Sequence, residues 1–245
     1  MKIICSDYDG TLNHNGITPE KLSCIKKWQK NGNLFTIVSG RGKEFFPEIK
    51  EENIPIDFLL ACNGAVILDS NGSCVSDVRC RENIASSIVD FVFSLGCTFA
   101  VICTDKSFRI KNPDFPEEEG ILPDEVPAVS SFNQISTACA DFDECKRVTA
   151  LIKEKFGEYV NPLQNGTCID IVPYGMDKAQ GIYILTEKLG ASYDDIIAVG
   201  DNVNDEAMIK EFYSYAMKNG VDFIKALADN ETSGIEELIE KELLK

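Results

Sequence analysis

Four short segments of the sequence carry acidic, hydroxyl or basic side chains where apolar runs end or helical patterns begin. They are residues 7–11 (DYDGT), residues 39–41 (SGR), Lys178, and residues 200–205 (GDNVND). Ligands of open α/β sheets bind beyond the carboxyl ends of the strands, so segments in these positions can converge on one site. Their combination of carboxylates, a hydroxyl and a lysine suits chemistry on a phosphate group.

The first segment places Asp7 and Asp9 two residues apart after a short apolar run. Residues two apart on a strand point the same way, so both carboxylates are expected to face one pocket. Two such carboxylates can divide the work, one as a nucleophile and the other as a proton donor. Gly10 lets the backbone leave the strand without a Cβ clash. Alone, the segment fits a solvated acidic turn equally well.

The second and third segments offer groups that bind anions. Ser39 and Gly40 follow the apolar run 34–38, and a hydroxyl with a glycine N–H at a strand-to-helix turn can bind a phosphoryl oxygen. Lys178 falls in the first turn of a helical pattern, after Asp177 as a candidate N-cap. A cation there opposes the helix dipole, which an anionic ligand would explain. A common Ser-Gly turn and a surface lysine are the competing interpretations.

The fourth segment follows the buried run 196–199 and is rich in aspartate and asparagine. Carboxylates at a strand end suit Mg²⁺, which prefers carboxylate oxygens and water in octahedral geometry. A polar turn that caps the next helix explains this segment equally well.

Together and in this order, the four segments are far more specific than any one of them. They resemble the motifs of the haloacid dehalogenase-like superfamily of phosphohydrolases, in particular the Cof-type branch, whose cap lies between the second and third motifs. Three further stretches resemble that branch: residues 62–65 (CNGA), 169–173 (IDIVP) and 216–219 (AMKN). Ala179 and Lys218 depart from the family, which more often has glycine there, and the cap is shorter than in many relatives.

The resemblance implies a role for each motif residue. Asp7 is the implied nucleophile, and Asp9 would protonate the leaving alkoxide and then activate water. The implied cofactor is Mg²⁺, held by Asp7, the Asp9 carbonyl, Asp201 and Asp205 in support. The implied phosphate- and substrate-binding residues are Ser39, Gly40, Arg41, Lys178 and Asn204.

Hydrophobic patterns predict the elements that position these segments. Strand-like and helix-like stretches alternate over the first third of the chain, which indicates a parallel sheet with right-handed crossovers. Beyond residue 80 the order becomes α-β-β and then β-α-β-β, and the βα pattern resumes with a helix at 178–189. We therefore predict an α/β fold: a Rossmann-like parallel-sheet core of the haloacid dehalogenase type (residues 1–79 and 174–245) with an inserted α+β cap (80–173) for substrate specificity.

Composition excludes several classes of function. The chain has 245 residues, with 24 Lys and Arg against 40 Asp and Glu, for a net charge of −16. Such acidity argues against nucleic-acid binding and against anionic membrane surfaces. No apolar run is long enough for a transmembrane helix, and the N-terminus lacks a signal-peptide pattern. Ten cysteines without a CxxC pair do not indicate a zinc site, and we expect reduced thiols and a cytoplasmic location.

Three functions fit the sequence, and the first is favoured. It is a Mg²⁺-dependent phosphatase of a small phosphorylated metabolite, with a sugar phosphate as the preferred class. A phosphosugar mutase of the phosphomannomutase type has a similar size and first motif, but the SGR and compact GDNVND segments favour the phosphatase. A non-catalytic module that binds phosphorylated ligands would not need Asp7, Asp9, Lys178 and Asp201 all intact. The oligomeric state is left open.

Overall fold

The computed structural model describes residues 1–244, which form two compact units. Unit 1 comprises Met1–Ser76 and the chain from Lys178 onward, and unit 2 comprises Asp77–Asp177. The predicted segment 80–173 thus lies inside unit 2, which extends slightly beyond it at both ends. The assignment of catalysis to one unit and specificity to the other stays a prediction.

Unit 1 is built on an eight-stranded sheet. Its strands are β1 (Ile3–Ser6), β2 (Leu34–Val38), β3 (Phe58–Ala61), β4 (Val66–Asp69), β5 (Cys74–Asp77), β11 (Ile196–Gly200), β12 (Tyr213–Met217) and β13 (Asn230–Thr232). The spatial order is β13-β12-β11-β1-β2-β3-β4-β5. Neighbours from β13 to β3 are parallel, and β4 runs antiparallel to β3. The predicted parallel-sheet core of an α/β fold is confirmed.

Six helices accompany this sheet in the described part of the chain. They are α1 (Pro19–Lys30), α2 (Phe46–Glu51), α5 (Lys178–Leu189), α6 (Glu206–Glu211), α7 (Asp222–Leu227) and α8 (Ile235–Leu243). Thr18 caps α1 as predicted, since its side chain accepts a hydrogen bond from the Lys21 amide, and Pro19 occupies the first turn. No helix within residues 1–244 is both long and apolar enough to cross a bilayer.

Unit 2 is an α+β structure, as predicted. Its strands are β6 (Phe99–Cys103), β7 (Ser107–Lys111), β8 (Gln134–Ala138), β9 (Val160–Asn165) and β10 (Cys168–Pro173), and its helices are α3 (Ala85–Ser94) and α4 (Phe142–Phe156). The strands pair antiparallel in the order β7-β6-β8-β10-β9. Apolar side chains of both helices and of alternate strand positions form one core, including Ile88, Val148 and Ile171.

Three elements between residues 213 and 232 were not predicted from the sequence. They are β12, α7 and β13. Strand β12 contains serine and two tyrosines, and β13 has only three residues, Asn-Glu-Thr, so neither gives a strong apolar pattern. Pairing with the preformed edge of the parallel sheet therefore decides their conformation.

The parallel pairing places the sequence motifs at one edge of the sheet. Ser6, the last residue of β1, aligns with Ile37 of β2 and with Val199 of β11. The segments that follow these three strands begin with Asp7, Ser39 and Asp201, and they leave the sheet in the same direction. Tertiary pairing thus assembles residues that are up to about two hundred positions apart in sequence.

Helix α5 packs closely against the turn after β3, and Gly181 makes this approach possible. A Cβ atom at Gly181 would lie 2.4 Å from the Cα atom of Gly64 and 3.0 Å from its carbonyl oxygen. Both atoms belong to the backbone, which cannot move aside like a flexible side chain. The glycine that the family more often has at position 179 is alanine here, and the close contact falls two residues later.

We predict that Gly181→Ala destabilises unit 1 by about 2 kcal/mol or more, despite the better helix propensity of alanine, because the added methyl group overpacks the contact. Trp28, the single tryptophan of the chain, lies buried in unit 1, so urea denaturation followed by its fluorescence measures the change. The control is Lys188→Ala, at an exposed position of α5, which should stay within about 0.5 kcal/mol of the wild type. Equal effects of the two substitutions would contradict the packing argument.

Candidate active site

The segment after β1 forms a tight turn rather than a continuation of the strand. The Asp7 amide donates to the Val199 carbonyl at 2.9 Å, and the amides of Leu12 and Asn13 then donate back to Asp7 and Tyr8. Gly10 adopts a φ of 84°, and a Cβ there would lie 2.4 Å from Asp201 Oδ2. Only glycine fits both requirements.

This turn separates the two aspartates of the first motif. Asp7 is buried, whereas the side chain of Asp9 is 57% exposed. Strand alternation is the wrong reason to expect both carboxylates at one pocket, because β1 ends at Ser6 and Asp9 lies in the turn. The two carboxylates consequently have different surroundings, one closed and charged, the other open to solvent. That the two carboxylates serve one site stays a prediction.

Lys178, the first residue of α5, is completely buried between two carboxylates. Its Nζ atom lies 2.6 Å from Asp7 Oδ1 and 2.5 Å from Asp205 Oδ1. Burial of an ammonium is costly unless it is paired and hydrogen-bonded, and both conditions are met here. Lys178 thus holds Asp7 and Asp205 at fixed positions. Its predicted contact with an anionic ligand stays a prediction.

Asp205 organises the loop after β11. Its Oδ2 atom accepts hydrogen bonds from the amides of Asp201 (2.9 Å) and Asn202 (3.0 Å), while Oδ1 contacts Lys178. A Cβ at Gly200 would lie 2.4 Å from Asp205 Oδ2, so glycine is needed at this approach. Both oxygens of Asp205 are thus engaged by the protein, and these contacts orient the loop.

Asp201 completes a cluster of three carboxylates. Thr11 Oγ1 donates to Asp201 Oδ1 at 2.6 Å, and one oxygen each of Asp7, Asp201 and Asp205 lies within 4.8 Å of the others. Three carboxylates against one ammonium leave excess negative charge. A hard divalent cation with oxygen ligands, such as Mg²⁺, fits this donor set.

The pKa values reflect this crowding. Burial raises the pKa of Asp7 well above its ordinary value; Lys178 opposes the shift, while Asp205 and Asp201 add to it. Burial also raises the pKa of Asp201, and Asp205 contributes, although the Thr11 hydrogen bond opposes. For Lys178, burial lowers the pKa, but the carboxylates of Asp205 and Asp7 outweigh burial and the net shift is upward. Bound cations would relieve the repulsion between the carboxylates.

Arg41 is engaged by Asp9. Its Nε and Nη2 atoms donate to the two Asp9 carboxylate oxygens at 2.8 and 2.6 Å, and Nη1 lies 3.2 Å from Glu48. The guanidinium carbon stands 5.0 Å from the ring centroid of Tyr8 and 4.5 Å from that of Phe45. The hydrogen bonds that Arg41 donates to Asp9 are the main cause that raises the pKa of Arg41. A bidentate pair against two rings orients both charged groups.

Ser39, Gly40 and Asn204 lie in the loops of the same sheet edge. Ser39 is buried, its hydroxyl accepts a hydrogen bond from the Arg41 amide at 3.1 Å, and its carbonyl accepts one from the Asn63 amide. Asn204 lies half-buried in the turn Val203–Asp205. Their predicted contacts to phosphoryl oxygens stay predictions.

Several residues that shape this site had no predicted role. Thr11 holds Asp201, and Asn219 Nδ2 donates to the Gly10 carbonyl at 2.9 Å. Both residues lie in stretches that resemble family motifs, and that resemblance was the only feature of the sequence that could have pointed to them. Phe45, which packs edge-on against Tyr8 with ring centroids 4.5 Å apart, had no such feature, because its contact depends on the path of the chain after β2.

Comparison with known proteins assigns the family. The model of the haloacid dehalogenase-like hydrolases matches residues 4–237, and the chain belongs to this family, in its Cof-type branch.

Individual relatives agree with this assignment. The chain is 29% identical to the 5-amino-6-(5-phospho-D-ribitylamino)uracil phosphatase YcsE of Bacillus subtilis, over 94% of this chain and 88% of that protein. It is 26% identical to YwtE of Bacillus subtilis, which is also named a 5-amino-6-(5-phospho-D-ribitylamino)uracil phosphatase, over 92% of this chain and 90% of that protein.

Solved structures share the fold. SMU.1108c from Streptococcus mutans superposes with a TM-score of 0.84 at 22% identity, over 100% of both chains. The subclass IIB sugar phosphatase BT4131 superposes with a TM-score of 0.81 at 18% identity, also over 100% of both chains. These similarities support an α/β core with an inserted cap.

We predict unequal effects on stability for two asparagine substitutions in the cluster. Asp201→Asn removes one repelling charge and keeps an oxygen for Thr11, so the metal-free protein should be as stable as the wild type. Asp205→Asn places an NH₂ group opposite either Lys178 or two amide donors, which should cost about 3 kcal/mol or more. Denaturation followed by Trp28 fluorescence, without divalent cations, compares the two.

The same variants test the metal site. Millimolar Mg²⁺ should raise the Tm of the wild type, since binding to the native state stabilises it, and should raise the Tm of Asp201→Asn much less. Equal destabilisation by both substitutions, or an undiminished response of Asp201→Asn to Mg²⁺, would contradict this description of the cluster.

Proposed function

We propose that the protein is a Mg²⁺-dependent phosphatase that hydrolyses a small phosphorylated metabolite, of the sugar-phosphate class, through an aspartyl-phosphate intermediate. The chain is a phosphoric monoester hydrolase of the haloacid dehalogenase-like family, and the proposal adds the metal, the substrate class and the role of each residue. The observation that carries it is the buried Asp7–Lys178–Asp205 arrangement beside Asp201.

In the first step, an Asp7 carboxylate oxygen attacks the phosphorus atom, and the bond from phosphorus to the ester oxygen breaks. Lys178 keeps Asp7 oriented through the 2.6 Å contact to Oδ1, which leaves the second oxygen for the attack. Asp7, Asp201 and the Asp9 carbonyl would hold Mg²⁺, which when bound offsets the charge of the carboxylates and the phosphoryl group. Phosphoryl transfer needs mainly this positioning and neutralisation.

Asp9 is the proposed proton donor to the departing alkoxide and, in the second step, the base that takes a proton from the attacking water. The oxygen of that water bonds to phosphorus and the bond from phosphorus to Asp7 breaks. Phosphate is then released and the free enzyme is regenerated. Asp9 suits an exchange of protons because its side chain is 57% exposed. Both Asp9 oxygens accept hydrogen bonds from Arg41, and a protonated carboxyl group has less acceptor capacity, so this contact must loosen when Asp9 carries the proton.

Ser39, Gly40, Lys178 and Asn204 are proposed to bind the phosphoryl oxygens, as the family resemblance implies. Arg41 was grouped with them, but its bidentate contact to Asp9 supports a different main role, that of positioning the acid.

Unit 2 is proposed to select the substrate. The four motifs all lie in unit 1, whose second part begins at Lys178. Binding energy from the part of a substrate that does not react can then come from unit 2. The relatives YcsE and YwtE are named for a substrate with a 5-phospho-D-ribityl group, and we extend from them only the general class, a phosphate ester of a sugar-like chain.

The test is a hydrolysis screen of phosphorylated metabolites, with and without Mg²⁺. We expect phosphate release that requires a divalent cation, and Asp7→Asn should lower kcat by several powers of ten, because it removes the nucleophile. Circular dichroism of the variant should match the wild type. Retention of more than a few per cent of activity by Asp7→Asn would exclude the covalent route.

A second prediction separates the role of Asp9 from that of Asp7. Asp9→Asn should slow the phosphorylation step more with alkyl phosphates than with aryl phosphates, because nitrophenolate leaves without a proton and an alkoxide does not. Single-turnover rates with p-nitrophenyl phosphate and with the best sugar phosphate of the screen measure the difference. Asp7→Asn is the control, since it should impair both substrates. Equal defects in Asp9→Asn would remove Asp9 from the acid role.

A further inference from the structure

A second buried lysine lies beside the catalytic turn and has surroundings unlike those of Lys178. Lys21, in the first turn of α1, is 4% exposed. Its Nζ atom donates to the main-chain carbonyls of Leu12 (2.6 Å), Gly16 (2.9 Å) and His14 (3.1 Å). The three N–H groups of the ammonium thus have one acceptor each.

All three acceptors are neutral, which is unusual for a lysine so deeply buried. An ammonium loses hydration on burial, and carbonyl dipoles replace that hydration only if several of them converge on it. Burial lowers the pKa of Lys21, and the negative charge of Glu236 opposes that shift. The charge is therefore solvated by the backbone of one short segment, residues 12–16.

That segment is shaped around the ammonium. Asn15 and Gly16 have φ values of 61° and 85°, in the left-handed region, and the resulting reversal brings the carbonyls of Leu12, His14 and Gly16 to one point. Three carbonyl oxygens that face one point repel one another unless a cation lies between them. Residues 12–16 and Lys21 accordingly form a cation site whose cation is covalently attached to the chain.

This cation site adjoins the catalytic turn, residues 7–12. The turn is held at its start by the hydrogen bond from the Asp7 amide to Val199, and near its middle by Asn219 on the Gly10 carbonyl. Its last residue, Leu12, gives its carbonyl to Lys21 at 2.6 Å. The same turn carries Asp9 and Thr11, so its end point affects the groups that the reaction uses.

We propose that Lys21 is a positioning residue for the catalytic turn, and that the carbonyls of Leu12, His14 and Gly16 form a binding site for a primary ammonium group. The part of this proposal that concerns turnover rests on the proposed phosphatase function. The part that concerns ammonium binding does not, because thermal stability measures it directly.

The test removes the side chain and supplies its end as a free molecule. Lys21→Ala deletes Cγ, Cδ, Cε and Nζ, which correspond to the heavy atoms of n-propylamine. We expect Lys21→Ala to lower Tm and, assayed well below its Tm, to lower kcat about tenfold or more with a smaller change in KM, since small displacements of reacting groups are costly. Tens of millimolar n-propylammonium should raise Tm and restore most of kcat.

Two control compounds and a control variant test whether the rescue of Tm and kcat depends on the charge and the N–H donors of the ammonium group. Tetramethylammonium at equal ionic strength has no N–H donors, and 1-propanol has no charge, so neither should restore Tm or kcat. Lys26→Ala, at an exposed position of α1, should leave both quantities unchanged. Rescue by either control compound to the same degree as by n-propylammonium would overturn the ammonium site, and so would no rescue of Tm at all.

A second variant covers the case in which Lys21→Ala does not fold. Lys21→Met keeps most of the packing volume but not the charge, so it should fold, show a reduced kcat and gain nothing from n-propylammonium. Wild-type kcat in Lys21→Met would overturn the positioning role. If the wild type hydrolyses no phosphate ester, the proposed function fails, while the Tm rescue of Lys21→Ala still decides whether the ammonium site exists.

Discussion

The contact of the Lys178 ammonium with Asp7 and Asp205 is the constraint on which the arrangement of unit 1 depends. The three groups come from the end of β1, the start of α5 and the loop after β11, and all three are buried. A buried charge without a partner destabilises the folded state more than most packing defects do. A shift of any one of these elements would leave a buried charge on another element without its partner. The parallel pairing of β1 with β11 and the close packing of α5 on the turn after β3 are the means by which the backbone meets this demand.

The short distances around this contact also explain where glycine is required. Gly10 and Gly200 each lie so near an aspartate oxygen that a Cβ would come within 2.4 Å of it. The carboxylates of Asp201 and Asp205 thus pack closely against glycine backbone. Each also has a hydrogen-bond donor, the Thr11 hydroxyl for the first and main-chain amides for the second. Close packing and these hydrogen-bond donors together allow several carboxylates to lie near one another, although burial raises the pKa values of Asp7 and Asp201 there.

Much of this could be predicted from the sequence because motif and topology agree. Polar segments that follow the apolar runs of β1, β2 and β11 must meet at one edge if those strands are parallel, and they do. What the sequence did not indicate is the pairing of side chains across that edge. The contacts of Asp9 with Arg41, of Lys21 with Leu12 and of Asn219 with Gly10 depend on turn geometry, which periodicity does not encode. Strand β13 escaped prediction for a related reason, since three polar residues become a strand only beside a neighbour.

The two buried lysines differ in a way that matters for a catalytic cycle with an aspartyl-phosphate. The partners of Lys178 are carboxylates, and in the proposed mechanism the charge on Asp7 changes when it forms a bond to phosphorus and returns when water releases it. The attraction that holds Lys178 therefore varies during the proposed turnover, which suits a group that is also proposed to contact the phosphoryl oxygens. The partners of Lys21 are carbonyl dipoles, whose strength does not depend on the state of Asp7. A restraint of that kind keeps the end of the catalytic turn in place while the charges at its beginning change, and it follows that the two lysines could not exchange their surroundings without loss of one of these properties.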